Sequence, residues 1–157
     1  MSYLGSTGEI SAIWRPEVDV ETLKIRTTTA RFVATGSVTN GQFGLYRWDM
    51  VAGTGGSGAH FHKTFSESFY VVSGKVGLYN GDKWIEANPG DFLYIPEGGI
   101  HGFRNDSDGD SSMIILFAPA PPRELYFRAL AEIADSGRTL TDEEWTELYA
   151  EHDQYMV

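Results

Sequence analysis

The chain has 157 residues, 41% of them hydrophobic, with 12 basic and 22 acidic side chains for a formal net charge of −10. That length admits one ordinary domain with a real core but not two, and the acid excess argues against a nucleic-acid backbone or an anionic membrane as partner. Cysteine is absent, which excludes disulfides and thiolate chemistry. The longest aliphatic run, Met113 to Phe117, is far short of the roughly 20 residues of a spanning helix. The N-terminus, MSYLGSTGEISAIWRPE, has neither the basic head nor the long apolar stretch of a signal peptide, so the expectation is a cytoplasmic protein that spans no membrane.

Taken in chain order, Ile10, Ile13, Trp14 and Val18 form a first apolar set, which wants a partner unless something covers it. Short strand signals then follow in quick alternation: Thr27 to Val33, Gly44 to Met50, His60 to His62, Glu67 to Val72, Lys75 to Tyr79, Lys83 to Glu86, Asp91 to Ile95, His101 to Asn105 and Met113 to Phe117. Gly, Pro, Asn or Asp separates them, with Asn80-Gly81-Asp82 the clearest hairpin turn. This spacing predicts an antiparallel all-β sandwich or barrel. The loop Asn105 to Ser111 is acidic but lacks the bidentate Glu of a calcium loop, and reads as a turn. No internal repeat is visible.

After Pro119-Ala120-Pro121-Pro122 the pattern changes. Leu125, Tyr126, Phe127, Leu130, Ile133 and Ala134 recur at helical spacing over Arg123 to Asp135, and Gly137 is a suitable stop. Thr141-x-x-Glu144 is a capping box that opens a second helix running to about Asp153. Its Trp145, Leu148, Tyr149 and His152 share one stripe, read as a packing face. The expected division is a barrel with an N-terminal extension over 1–121, net charge −4, and a helical extension over 122–157, net charge −6, packed on the barrel because its large apolar residues are too many to leave in water.

The chemistry concentrates at His60-Phe61-His62, Glu67 and His101. Two histidines at i and i+2 on a strand point to the same face and can reach one ion. Three imidazoles and a carboxylate suit one divalent transition ion, Fe, Ni, Mn, Zn, Co or Cu, and leave positions open for water or substrate. The same period turns Phe69, Val71, Phe103 and Asn105 inward beside the ligands, so Phe69, Val71 and Phe103 are expected to wall an apolar substrate chamber.

These residues resemble the two motifs of the cupin family: H-x-H-x4-E-x6-G on His60, His62, Glu67 and Gly74, then G-x5-P-x-G-x2-H-x3-N on Gly90, Pro96, Gly98, His101 and Asn105. One departure is Thr54, where the family usually has a glycine six residues before the first His. The resemblance implies a single cupin (jelly-roll) barrel, a metal held by His60, His62, Glu67 and His101, and a homodimer. The single barrel with a helical C-terminal extension is similar to quercetin 2,3-dioxygenase-like proteins. That implies a metal-dependent dioxygenase acting with dioxygen on a flavonol or another enolic or phenolic small molecule, with Glu67 as both ligand and catalytic base. The alternatives are a non-catalytic binding or sensing module, or isomerase or decarboxylase chemistry on the same barrel.

Overall fold

A computed structural model describes residues 2–157. It contains β1 (Thr22–Ile25), β2 (Thr28–Ala34), β3 (Gly44–Met50), β4 (Gly56–Phe61), β5 (Ser66–Ser73), β6 (Val76–Tyr79), β7 (Trp84–Ala87), β8 (Phe92–Ile95), β9 (His101–Arg104) and β10 (Ser111–Ala118). Two helices follow, α1 (Arg123–Ser136) and α2 (Asp142–Glu151), and a last short strand, β11 (Tyr155–Met156). All pairings are antiparallel. One sheet has the order β1-β2-β3-β10-β5-β8 and the other β11-β4-β9-β6-β7, the jelly-roll barrel with a C-terminal helix pair that the sequence predicts.

The core follows from period-two patterning. On β3, Tyr46, Trp48 and Met50 point inward while Arg47 points out; on β10, Met113, Ile115 and Phe117 are buried in the same way. The aliphatic run sits on β10 because that strand is central, with Ile115 opposite Tyr46 of β3 and Phe69 of β5. Each such large side chain contributes roughly 1.5–3 kcal/mol on burial. Gly74 closes the turn after β5 at φ +68, where a Cβ would lie 2.2 Å from the Asp110 carbonyl, so only glycine fits.

Helix α1 covers one side of this core. Phe127 packs on Trp48 at 4.9 Å between ring centroids, on Tyr46 at 5.4 Å and on Phe32 at 6.1 Å. The Tyr46 hydroxyl donates to Glu124 at 2.7 Å, and burial together with that carboxylate pushes its pKa far up, so the phenol stays a donor. Gly137 ends α1 and Thr141 and Glu144 form the reciprocal capping box of α2.

Some elements and boundaries differ from expectation. Strands β1 and β11 carry no alternation long enough to be read from sequence, and exist because an edge is there to pair with. Strand β4 starts at Gly56 and ends at Phe61, so His62 stands just past it. Helix α2 ends at Glu151, since Asp153 takes a left-handed conformation that turns the chain toward β11. Ile10, Ile13, Trp14 and Val18 remain between 71% and 88% exposed. Among the described residues no helix is long and apolar enough to cross a membrane.

Candidate metal centre

His60 and His101 face each other as register partners on β4 and β9, His62 follows at the end of β4, and Glu67 reaches in from β5 of the opposite sheet. One donor atom from each lies within 4.8 Å of all the others, and all four residues are at most 4% exposed. Ligands about 2.1 Å from a shared ion sit at most about 4.2 Å apart, so a small contraction closes the set around one ion.

The hydrogen bonds behind the rings fix which nitrogens face inward. His60 Nδ1 donates to the Gly58 carbonyl at 2.7 Å, His62 Nδ1 to the Asp153 carbonyl at 2.6 Å, and His101 Nδ1 to the Gly99 carbonyl at 2.9 Å. A carbonyl only accepts, so each Nδ1 carries a proton, and each ring when neutral presents a bare Nε2 to the interior. The Nε2 atoms of His62 and His101 nevertheless lie 3.1 and 2.7 Å from one oxygen of Glu67. Lone pairs at that distance repel unless both rings are protonated or a cation lies among them. Backbone carbonyls orienting the far side of each ring are the usual support for metal-ligating histidine, and the donor set therefore fits a divalent ion.

Electrostatics around the group are uneven. Burial and the neighbouring His101 lower the His60 pKa to about 4. For His101, burial also lowers it, but the hydrogen bond to and charge of Glu67 outweigh this and the net shift is upward. Burial pushes Glu67 up, yet its bonds to His101 and His62 hold it well below the usual carboxylate range, so it is ionised.

Aromatic rings brace the donors: Phe65 stacks on His62 at 4.4 Å, and Phe69 lies 5.9 Å from His101 and 5.5 Å from Phe103. A cavity of about 70 Å³ opens beside His60 and Glu67, with Phe103, Trp48 and Phe127 on its wall. Phe69 and Val71 face inward as expected but are not on that wall. They are fully buried in the core, and the Phe69 ring is taken up by Phe103 and His101. Asn105 is also inward, and its amide ties the loop together through the Met50, Val51 and Gly109 carbonyls. His152 packs against Tyr126, apart from the donor group.

Sequence reasoning missed Arg123, Tyr126 and Gln154, which close the cavity from the C-terminal segment. Of these, Tyr126 had a readable signal, the helical spacing of the apolar residues on α1, which marks a packing face and not a cavity wall. A larger cavity of about 440 Å³ shares Trp48, Gly56, Ser57, Tyr126, Leu130 and Gln154 with the inner one and extends outward past Trp145 and Tyr149.

Comparison with known proteins agrees with this picture. Residues 46–117 match the cupin domain family. The chain is 32% identical over 106 residues to quercetin 2,3-dioxygenase of Bacillus subtilis, a stretch that is 65% of this chain but spans only 29% of that protein's length. Among solved structures, KdgF from Halomonas sp. superposes with a TM-score of 0.63 at 18% identity, covering 73% of this chain and 99% of that one. The polyketide cyclase RemF from Streptomyces resistomycificus gives 0.60 at 24% identity, with 70% and 81% covered. These two similarities establish the fold alone. Residues 46–117, which carry both motifs on one barrel, are thus a cupin domain, and the chain around them is similar to part of quercetin 2,3-dioxygenase.

Proposed function

We propose that the protein is a metal-dependent dioxygenase that opens an enolic or phenolic ring, with His60, His62, Glu67 and His101 holding one divalent transition ion. The Nε2 atoms of His62 and His101 set on one oxygen of the buried Glu67 carboxylate, with a His60 donor within 4.8 Å, at the inner end of an aromatic-lined cavity, carry this reading. When bound, such an ion supplies Lewis acidity toward a substrate hydroxyl and, if redox-active, competence toward dioxygen.

The chain's own residues account for the rest. Both ring contacts of Glu67 fall on Oε2, which leaves Oε1 to accept the substrate hydroxyl proton and generate the enolate that dioxygen attacks. The inner cavity, about 70 Å³, holds only the enolic head of a flavonol. The outer cavity, about 440 Å³, takes the remaining rings against Trp145 and Tyr149, and the two together fall in the range of about 300–1,000 Å³ usual for small-molecule sites. Phe127, Ile115 and Phe117 keep the inner end apolar. A homodimer and dioxygen as co-substrate belong to the same proposal.

Oxygen uptake by the metal-loaded protein with flavonols and catechols, in air and under argon, tests it. Uptake dependent on both substrate and metal is expected, and Glu67→Gln should depress turnover by about 10²-fold or more while reducing metal content far less. Tight binding of a flavonol with no oxygen uptake would replace this reading with a binding module. Turnover of a substrate without oxygen uptake would point to isomerase or decarboxylase chemistry.

A further inference from the structure

Arg123, the first residue of α1, is 5% exposed and borders the same inner cavity as His60 and Glu67. Its guanidinium is held by three features: Nη1 donates to the His152 carbonyl at 3.0 Å, Nη2 donates to Gln154 Oε1 at 3.0 Å, and the Tyr126 ring lies 4.2 Å beneath Cζ. Its Nε–H is buried with no partner, so of five N–H donors two are placed and one is orphaned. No carboxylate among the described residues forms a salt bridge with it. Asp153, the nearest acid in sequence to the groups that hold it, is spent on the Lys63 and Thr64 amides and the Thr64 hydroxyl.

A buried cation with no ion pair is costly, and so is an unpartnered buried donor. The charge count sharpens the point. Three neutral imidazoles and Glu67 sum to −1, a divalent ion brings the donor set to +1, and Arg123 adds another +1 in the same apolar cavity. Among the described residues that line this cavity Glu67 is the one acid, whereas an anionic ligand would satisfy the remaining charge and the spare N–H groups together. Arginine suits that role because its planar fork is fixed in place and always charged.

We propose that Arg123 is the anion-recognition residue of this site and that its guanidinium receives the oxyanion of the substrate, whether brought in as a carboxylate or formed in the site as an enolate. This rests on the metal reading above but not on oxygen chemistry. It also explains why the polar wall of the cavity comes from the C-terminal segment: Arg123 and Gln154 select the ligand, while the barrel holds the ion.

The test uses the Co(II)-loaded protein and its ligand-field spectrum, titrated with oxalate as a carboxylate, 3-hydroxy-4-pyrone as an enolate former and imidazole as a neutral donor. Arg123→Met should weaken the oxyanion probes by about tenfold or more, the loss of a charge-assisted hydrogen bond, and leave imidazole binding and one Co(II) per chain unchanged. Arg123→Lys keeps the charge but loses the planar fork, and should retain more oxyanion affinity than Arg123→Met. Whichever of oxalate and the pyrone loses more identifies the oxyanion class. Oxyanion binding unchanged in Arg123→Met, or a loss shared equally by imidazole, would overturn the assignment while the metal reading stands. Equal loss in the Lys and Met variants would show packing rather than charge at work and overturn it too. A parent protein that takes up no Co(II) would overturn the metal reading and this inference with it.

Discussion

The two walls of the inner cavity are built in opposite ways. On the barrel side, strand pairing places His60 and His101 opposite each other, and each ring of the triad is tied from behind by a backbone carbonyl. On the far side, residues 123–154 contribute Arg123, Tyr126 and Gln154 by tertiary packing of a helix and a short tail. Even the tie behind His62 comes from that tail, through the Asp153 carbonyl. The contrast teaches a division of labour: strand periodicity sets out the four side chains that could hold an ion, and tertiary packing of the C-terminal segment supplies the polar groups that face them.

The sharpest way to break this comparison is to remove donors from the barrel wall. A His60→Ala/His101→Ala double variant should take bound metal from about one ion per chain to near zero, read by elemental analysis of the folded protein. Full occupancy in that variant would mean the ion sits elsewhere. Phe127→Ala, on the tail wall, should cost about 3–5 kcal/mol in denaturant unfolding because it empties a ring from the Phe32–Tyr46–Trp48 cluster. Its metal stoichiometry, measured on the folded fraction, should stay at one, which is where the two walls part company.

Smaller effects sharpen the same line. Gly56 holds φ +114, and a Cβ there would lie 2.2 Å from the Phe103 carbonyl. Gly56→Ala should therefore cost about 1–3 kcal/mol and also weaken metal affinity, because it pries β4 from β9. Gly74→Ala carries a similar clash away from the donors, so it should lower stability alone. Asp153→Asn should have the least effect, about 1 kcal/mol, seen as faster amide exchange at Lys63 and Thr64. Burial pushes the Asp153 carboxyl up, but bonds from Thr64 and Lys63 outweigh it and hold it below its ordinary value. The stability this anchor gives is thus present above the unfolded pKa of about 3.9 and lost as pH falls through the lowered folded value.

The barrel wall was legible because its signals are local. An i, i+2 pair of histidines, the glycine that closes β5 and the His101 loop each state their geometry within a few residues. The helices were legible for the same reason, through apolar spacing, Gly137 and the Thr141–Glu144 box. Arg123 was not, since at the head of an acidic amphipathic helix it reads as an ordinary solvated charge, and only the fold of His152 to Gln154 back over it buries the guanidinium. Strand β11 is two residues long and has no period to detect. Phe69 was read one layer too close to the ligand, because alternation tells which face a side chain takes and not which ring reaches the opening first.

The most direct measurement is anomalous X-ray scattering from crystals of the protein grown with a divalent transition ion. The account predicts one peak per chain, about 2.0–2.3 Å from the Nε2 atoms of His60, His62 and His101 and from a Glu67 oxygen. No peak among these four side chains, or a peak bound through Nδ1 with the rings turned over, would contradict it.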